Sequence, residues 1–165
     1  MLQSRPAFEI AIDVGTAATR LHVRDRLSPL VRPSAVWRAG AACPALRGGV
    51  VTDAEVATVV VRELLRSLPR ARWRRPRALA CVPTDATADE RDRLVESVLQ
   101  AGAGAVEVIP EPLAAAIGAG LETELSQAQL LVDIGEGVTD CAVVREGALV
   151  ATGALRVAVS DLRAE

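Results

Sequence analysis

The stretch IAIDVGTAATRLHV, residues 10–23, returns 120 positions later as LLVDIGEGVTDCAV, residues 130–143. Asp13, Gly15 and Thr19 fall on Asp133, Gly135 and Thr139 as identities. Ile10, Ile12, Val14 and Val23 fall on Leu130, Val132, Ile134 and Val143 as apolar matches. Each copy runs from alternating apolar residues through Asp-x-Gly and a threonine into a second apolar run. That is the pattern of a strand, a tight turn and an antiparallel strand.

Between the copies, helical and strand patterns alternate. Residues 8–15 read as a buried strand and Thr19 to Arg24 as its partner. Ala35 to Arg38 reads as a third strand, and the Gly-, Ala- and Pro-rich stretch from Ala39 to Gly49 as loop. Thr52-Asp53-Ala54-Glu55 has capping-box spacing, and Val56, Val60, Leu64 and Leu68 then form one apolar stripe up to Pro69. Ala78 to Val82 reads as a buried strand. Thr87-Ala88-Asp89-Glu90 opens a second helix that turns Leu94, Val95, Val98 and Leu99 inward and stops at Gly102. Ala105 to Ile109 is a further strand, Leu113 to Leu121 a third helix behind Pro112, and three strands follow from Gln129. A three-strand meander followed by β-α-β-α predicts an α/β, ribonuclease-H-like sheet of order 3-2-1-4-5. Residues 129–157 are expected to form a second, small antiparallel sheet without helices of its own. Its apolar strands then need cover, so the expectation is association through that sheet.

Composition narrows the function. At 165 residues the chain is one domain, or one and a part, with 50% hydrophobic and 24% charged residues. A net charge of −2 and only three aromatic side chains, Phe8, Trp37 and Trp73, argue against a nucleic-acid partner. All 19 basic residues are arginine, which excludes a Walker-type phosphate loop and Schiff-base chemistry, since both need lysine. Cys43, Cys81 and Cys141 contain no C-x-x-C pair, so neither zinc nor a redox motif is indicated; Cys81 and Cys141 read as buried thiols. No apolar run of transmembrane length and no secretory leader occurs, so the expected compartment is the cytoplasm.

The repeat carries its own chemistry. A strand ending in a carboxylate can hold a hydrated magnesium ion, and a glycine beside it lets backbone N–H groups approach a phosphate. Hydroxyls such as Thr16 and Thr139 add donors. One Asp-x-Gly is as well explained by an ordinary turn. Two in matching strand contexts point to a phosphate tail gripped from both sides. Glu111, in Ile109-Pro110-Glu111-Pro112, lies where a strand passes into a helix, the end at which α/β sheets place ligands. A carboxylate there can position or deprotonate water, or it can simply complement the helix macrodipole.

Three segments together resemble the MreB family of bacterial actin-like ATPases: Ile12 to Thr16, the block CVPTDATADERDRLVESVLQAGA leading into EPLAAAIGAGL, and Val132 to Thr139. The resemblance runs from about Phe8 to Leu162. It implies an actin-like fold in two parts. Residues 1–125 would form a domain like subdomain IA without its small IB insert, and residues 126–165 the start of a truncated subdomain IIA. It implies ATP held by Asp13, Gly15, Thr16, Asp133, Gly135, Gly137, Val138 and Thr139, with magnesium bound through water to Asp13 and Asp133. Glu111 would then lie near the attacking water, with Thr139 beside it. It further implies self-association or a longer MreB-like partner. Trp73, with Arg72 and Arg74, is similar to the family's membrane-dipping loop and would dock weakly on an anionic inner membrane face. The chain also departs from the family. Only a short loop precedes the first helix, Glu136 stands where glycine is usual, and Arg156-Val157-Ala158-Val159-Ser160 replaces Arg-Val-x-Gly-Asp. Three readings follow. The first is a shortened MreB-like protein of the cell-shape or wall-synthesis machinery with weak or vestigial ATP binding. The second is a competent ATPase, and the third an interaction module that binds no nucleotide.

Overall fold

The computed structural model describes residues 8–24, 26–69 and 75–163. The basic loop holding Arg72, Trp73 and Arg74 lies outside them, and with it the expected membrane contact.

The chain opens with β1 (Ile10–Val14) and β2 (Ala18–Val23), the antiparallel hairpin expected of the first repeat. The third meander strand is β3 (Leu30–Pro33), not Ala35 to Arg38. Those residues form β4 (Ala35–Arg38), which pairs instead with β5 (Ala41–Pro44) around Ala39 and Gly40, both at positive φ. A second small hairpin follows, β6 (Leu46–Arg47) with β7 (Val50–Val51). The stretch read as loop is therefore two short hairpins. The turn glycines were visible in the sequence, but strands this short carry too few residues for alternation to register.

Helix α1 (Ala54–Arg66) starts at Asp53, one residue later than the capping-box spacing indicates. The Asp53 carboxylate accepts from Val56 N. Its stripe of Val56, Val60, Val61 and Leu64 is almost fully buried. β8 (Arg77–Val82) follows and runs parallel to β1. Thr87 and Glu90 close the expected capping box of α2 (Ala88–Ala101), and Gly102 ends it at φ 127°. Leu94 and Val98 face inward, whereas Leu99 is exposed, because the buried face rotates onto Ser97 and Ala101. β9 (Ala105–Pro110) runs parallel to β8, and the main sheet has the order β3-β2-β1-β8-β9, the predicted one.

Helix α3 (Glu111–Gly118) both begins and ends earlier than the Leu113 to Leu121 read from the sequence, with Pro112 inside its first turn. It contacts β8 and β9 and also β10 (Gln129–Ile134) and β11 (Thr139–Arg145), so it is the seam between two sheets. β12 (Ala148–Leu155) completes the second sheet, and α4 (Val159–Leu162) follows. α3 therefore covers one face of a sheet expected to lack helices. The opposite face carries Leu130, Val132, Ile134 and Leu155 in the open. Among the described residues no helix is long and apolar enough to cross a membrane.

Candidate phosphate-binding cleft

In a parallel sheet the carboxyl ends of the strands open on one edge, where side chains are not covered by the crossing helices. β1, β8 and β9 bring Asp13, Cys81 and Glu111 to that edge. The second sheet brings Asp133 to the facing edge, and the four residues line one cleft of about 530 Å³. Gly15, Thr16, Gly135, Glu136, Gly137 and Val138 line it too, together with Arg20 and Arg163.

The two hairpins have the same turn. Gly15 N donates to Ala18 O at 3.2 Å, and Gly135 N donates to Val138 O at 2.9 Å. In each, a Cβ on the glycine would lie 3.0 Å from that carbonyl oxygen. The hairpins also touch. A Cβ on Gly137 would meet Thr16 Oγ1, Cβ and Cγ2, the latter two at 2.9 and 3.0 Å, so a side chain there would push the hairpins apart. Thr16 Oγ1 is already engaged, accepting from Gly49 N at 3.0 Å.

Register sets the local charge. Asp13 lies directly across from Arg20, whose guanidinium donates to its carboxylate at 2.9 Å. At the equivalent place in the second hairpin Asp133 lies across from Asp140. Asp140 is buried. Its Oδ1 accepts from Thr84 N at 3.2 Å and Thr84 Oγ1 at 2.5 Å, while Oδ2 has no partner among the described residues. This contact and the Arg156 guanidinium, bonded to both oxygens of Asp85 at 2.9 Å and to Gly48 O, tie the second sheet to the β8–α2 turn.

Burial, with the nearby charges of Asp13, Asp140 and Asp133, pushes the Glu111 carboxyl up to about 8. Asp133 is raised by burial and by Asp13 and Asp140. Burial and the carboxylates of Asp13, Glu111 and Asp133 push the Cys81 thiol up to about 12, so it stays protonated and unreactive at neutral pH. Of the two thiols expected buried, Cys81 is half-buried and Cys141 is exposed on β11.

Of the residues singled out from sequence, the cleft gathers Asp13, Gly15, Thr16, Glu111, Asp133, Gly135, Gly137 and Val138. Thr139 is not among those lining it; its hydroxyl donates to Val157 O at 2.8 Å. Its repeat mate Thr19 is likewise turned to the chain beyond its hairpin, with Oγ1 2.8 Å from Ser34 Oγ. Sequence reasoning missed Arg20, Cys81 and Arg163. Arg20 could have been found by pairing the hairpin residue by residue, but Arg163 had no signal, since its place depends on how α4 docks.

The family model described as MreB/Mbl protein matches residues 36–165. The cell shape-determining protein MreB of Escherichia coli K12 is 33% identical over 178 aligned residues, covering 90% of this chain and 51% of the relative. The cell shape-determining protein Mbl of Bacillus subtilis is 31% identical over 176, covering 92% and 53%. Among solved structures, MreB5 of Spiroplasma citri bound to ADP superposes with a TM-score of 0.81 at 25% identity, over 92% of this chain and 53% of that one. The chain thus spans about half the length of the relatives it matches.

Proposed function

The chain belongs to the MreB/Mbl family of actin-like fold, and from that premise we propose that its cleft binds the phosphate tail of ATP weakly, in a protein of the cell-shape or wall-synthesis machinery. One observation carries this reading: two hairpins closed by the same glycine-turn hydrogen bond meet at Gly137 and Thr16 and face a common cleft with Asp13 and Asp133. The glycine cradle and the paired carboxylates fit a phosphate tail and its cation. Asp13 and Asp133 would hold magnesium through water, and magnesium would supply positive charge to the phosphates.

The rest of the site favours binding over turnover. A carboxyl with a pKa of about 8 is mostly protonated at pH 7, so Glu111 holds a proton and cannot take one from water. The described lining offers adenine no aromatic side chain, only small apolar ones such as Ala114, Ala115 and Val138. Self-association, or pairing with a longer relative, through the open face of Leu130, Val132, Ile134 and Leu155 belongs to the same reading. So does a cytoplasmic protein resting on an anionic membrane face through Trp73 and its arginines.

Thermal unfolding with and without ATP and magnesium tests the binding. A ligand at 100 times its Kd stabilises the folded state by about 2.7 kcal/mol. A melting temperature unmoved by millimolar Mg-ATP would remove the reading. If hydrolysis is nonetheless detected, the competent-ATPase reading requires Glu111 as the group on the water, so Glu111→Ala should abolish turnover and leave binding nearly intact; undiminished turnover would leave Glu111 the protonated, non-catalytic residue described above.

A further inference from the structure

The charged residues lining the cleft are Asp13, Arg20, Glu111, Asp133, Glu136 and Arg163 among the described residues. Asp13, Asp133 and Glu136 around a site for an anion would repel it, and Glu111 adds to them once it ionises, so the two cations decide whether an anion can enter. Both arginines are already paired. Arg20 Nη1 lies 2.9 Å from Asp13 Oδ2, and Arg163 Nη1 lies 2.9 Å from Glu136 Oε1. Their side chains are nonetheless 53% and 70% exposed, so the pairs are held in high dielectric, where such contacts contribute little.

Arg163 is held at this distance by backbone. Val159 N donates to Gly135 O at 3.2 Å and Ser160 N to Glu136 O at 3.1 Å, which docks α4 on the second hairpin. The Asp161 carboxylate accepts from Ala158 N at 2.8 Å and fixes the start of that turn. Arg163 N donates to Val159 O at 3.2 Å and carries the side chain back over the cleft. Arg20 is fixed on the other side by its register opposite Asp13. One guanidinium therefore approaches from each hairpin.

We propose that Arg20 and Arg163 are the anion-recognising residues of this cleft, each parked on a carboxylate and exchanged onto the ligand's phosphates when a nucleoside polyphosphate enters. The proposal rests on the phosphate-binding reading above and adds the residues that carry it. A guanidinium meets a phosphate with a two-pronged, charge-assisted bond stronger than an exposed ion pair, so the exchange runs downhill. Glu136 is then a competitor for Arg163 rather than a simple obstacle to phosphate. A Glu at this position becomes tolerable because an arginine stands beside it to neutralise its charge.

The test is calorimetric titration of the full chain and its variants with ATP, ADP, inorganic tripolyphosphate and adenosine, all with magnesium. Arg163→Ala and Arg20→Ala should each weaken ATP about tenfold, the loss of one charge-assisted bond. Glu136→Gln should tighten ATP, because it removes the charge that holds Arg163 away. Parallel losses on tripolyphosphate assign the effect to the phosphates; tripolyphosphate that fails to bind while ATP shows the losses assigns it to a nucleotide's phosphates. Both results support the exchange. Wild-type binding of ATP with unchanged affinity in both arginine variants overturns this proposal and leaves the binding reading standing. Absence of any ATP binding by the wild type overturns both. The arginines are exposed, so unchanged melting temperatures of the unliganded variants verify that folding is intact.

Discussion

Replacing Glu111 by glutamine should change how the stability of this protein depends on pH. Glu111 titrates near 8 in the folded chain against a reference value of 4.5, chiefly because burial disfavours its charged form. Below the reference value both folded and unfolded chains carry the proton. Between 4.5 and about 8 only the folded chain does, so its stability falls as pH rises and the fall ends once the folded group has also ionised. At about 1.4 kcal/mol per pH unit, the upper bound on that loss is about 5 kcal/mol. In the Glu111→Gln variant the side chain is neutral at every pH and close in shape, so the change removes this one contribution and leaves the others. Urea unfolding of both proteins at pH 5, 6.5, 8 and 9 gives the comparison. The difference in stability, variant minus wild type, should grow steadily towards alkaline pH and level off above 8. Parallel profiles would refute the argument, because they would mean that Glu111 is solvated and ionised at neutral pH. Saturating Mg-ATP should flatten the wild-type profile if the cation offsets Asp13 and Asp133.

Two further predictions concern the seam between the sheets. Gly137→Ala places a Cβ within 3.0 Å of Thr16 and should cost about 1–3 kcal/mol in chemical unfolding as the hairpins part, while Gly118→Ala, with open space around it, should be close to neutral. Equal costs at the two positions would contradict the close approach. Asp140→Ala strands the Thr84 N–H and hydroxyl and should destabilise by about 2 kcal/mol, with Asp140→Asn costing less because it keeps an acceptor. The same change should lower the Glu111 pKa, measurable by carbon NMR of the carboxyl, since Asp140 is one of the charges that raise it.

The main sheet was legible because its strands are bounded by devices with a local cause. Thr87 and Glu90 cap α2, Pro83 stops β8, and Val56 to Leu64 repeat with helical period. Ala35 to Arg38 misled for the opposite reason. Trp37 and Val36 look like strand residues, and they are, but the pairing partner lies after Gly40 and not in the meander. Nothing local distinguishes a strand's partners. The cleft was half legible: residues carried by the repeat could be named, whereas Cys81 and Arg163 enter through tertiary placement. Thr139 shows the limit of carrying a role over by position. Its identity matches Thr19, and both hydroxyls are directed to the chain beyond their hairpins.

The two hairpins share one turn hydrogen bond but differ in the charge across the strand from their aspartates: Arg20 faces Asp13 where Asp140 faces Asp133. A symmetric grip would hold a chain of phosphates equally well in either direction. Here the repeat does not extend to the charge: Asp13 is neutralised by a guanidinium of its own hairpin, whereas Asp133 has a second carboxylate across the strand, so the two halves of the cleft differ in charge. The field along it is polar. An elongated anion bound as proposed above would feel a torque as well as an attraction, its richer end drawn away from the Asp133–Asp140 side. On the binding proposed above, positions 20 and 140 make the two halves of the cleft unequal to the ligand, and Arg163 acts against that background.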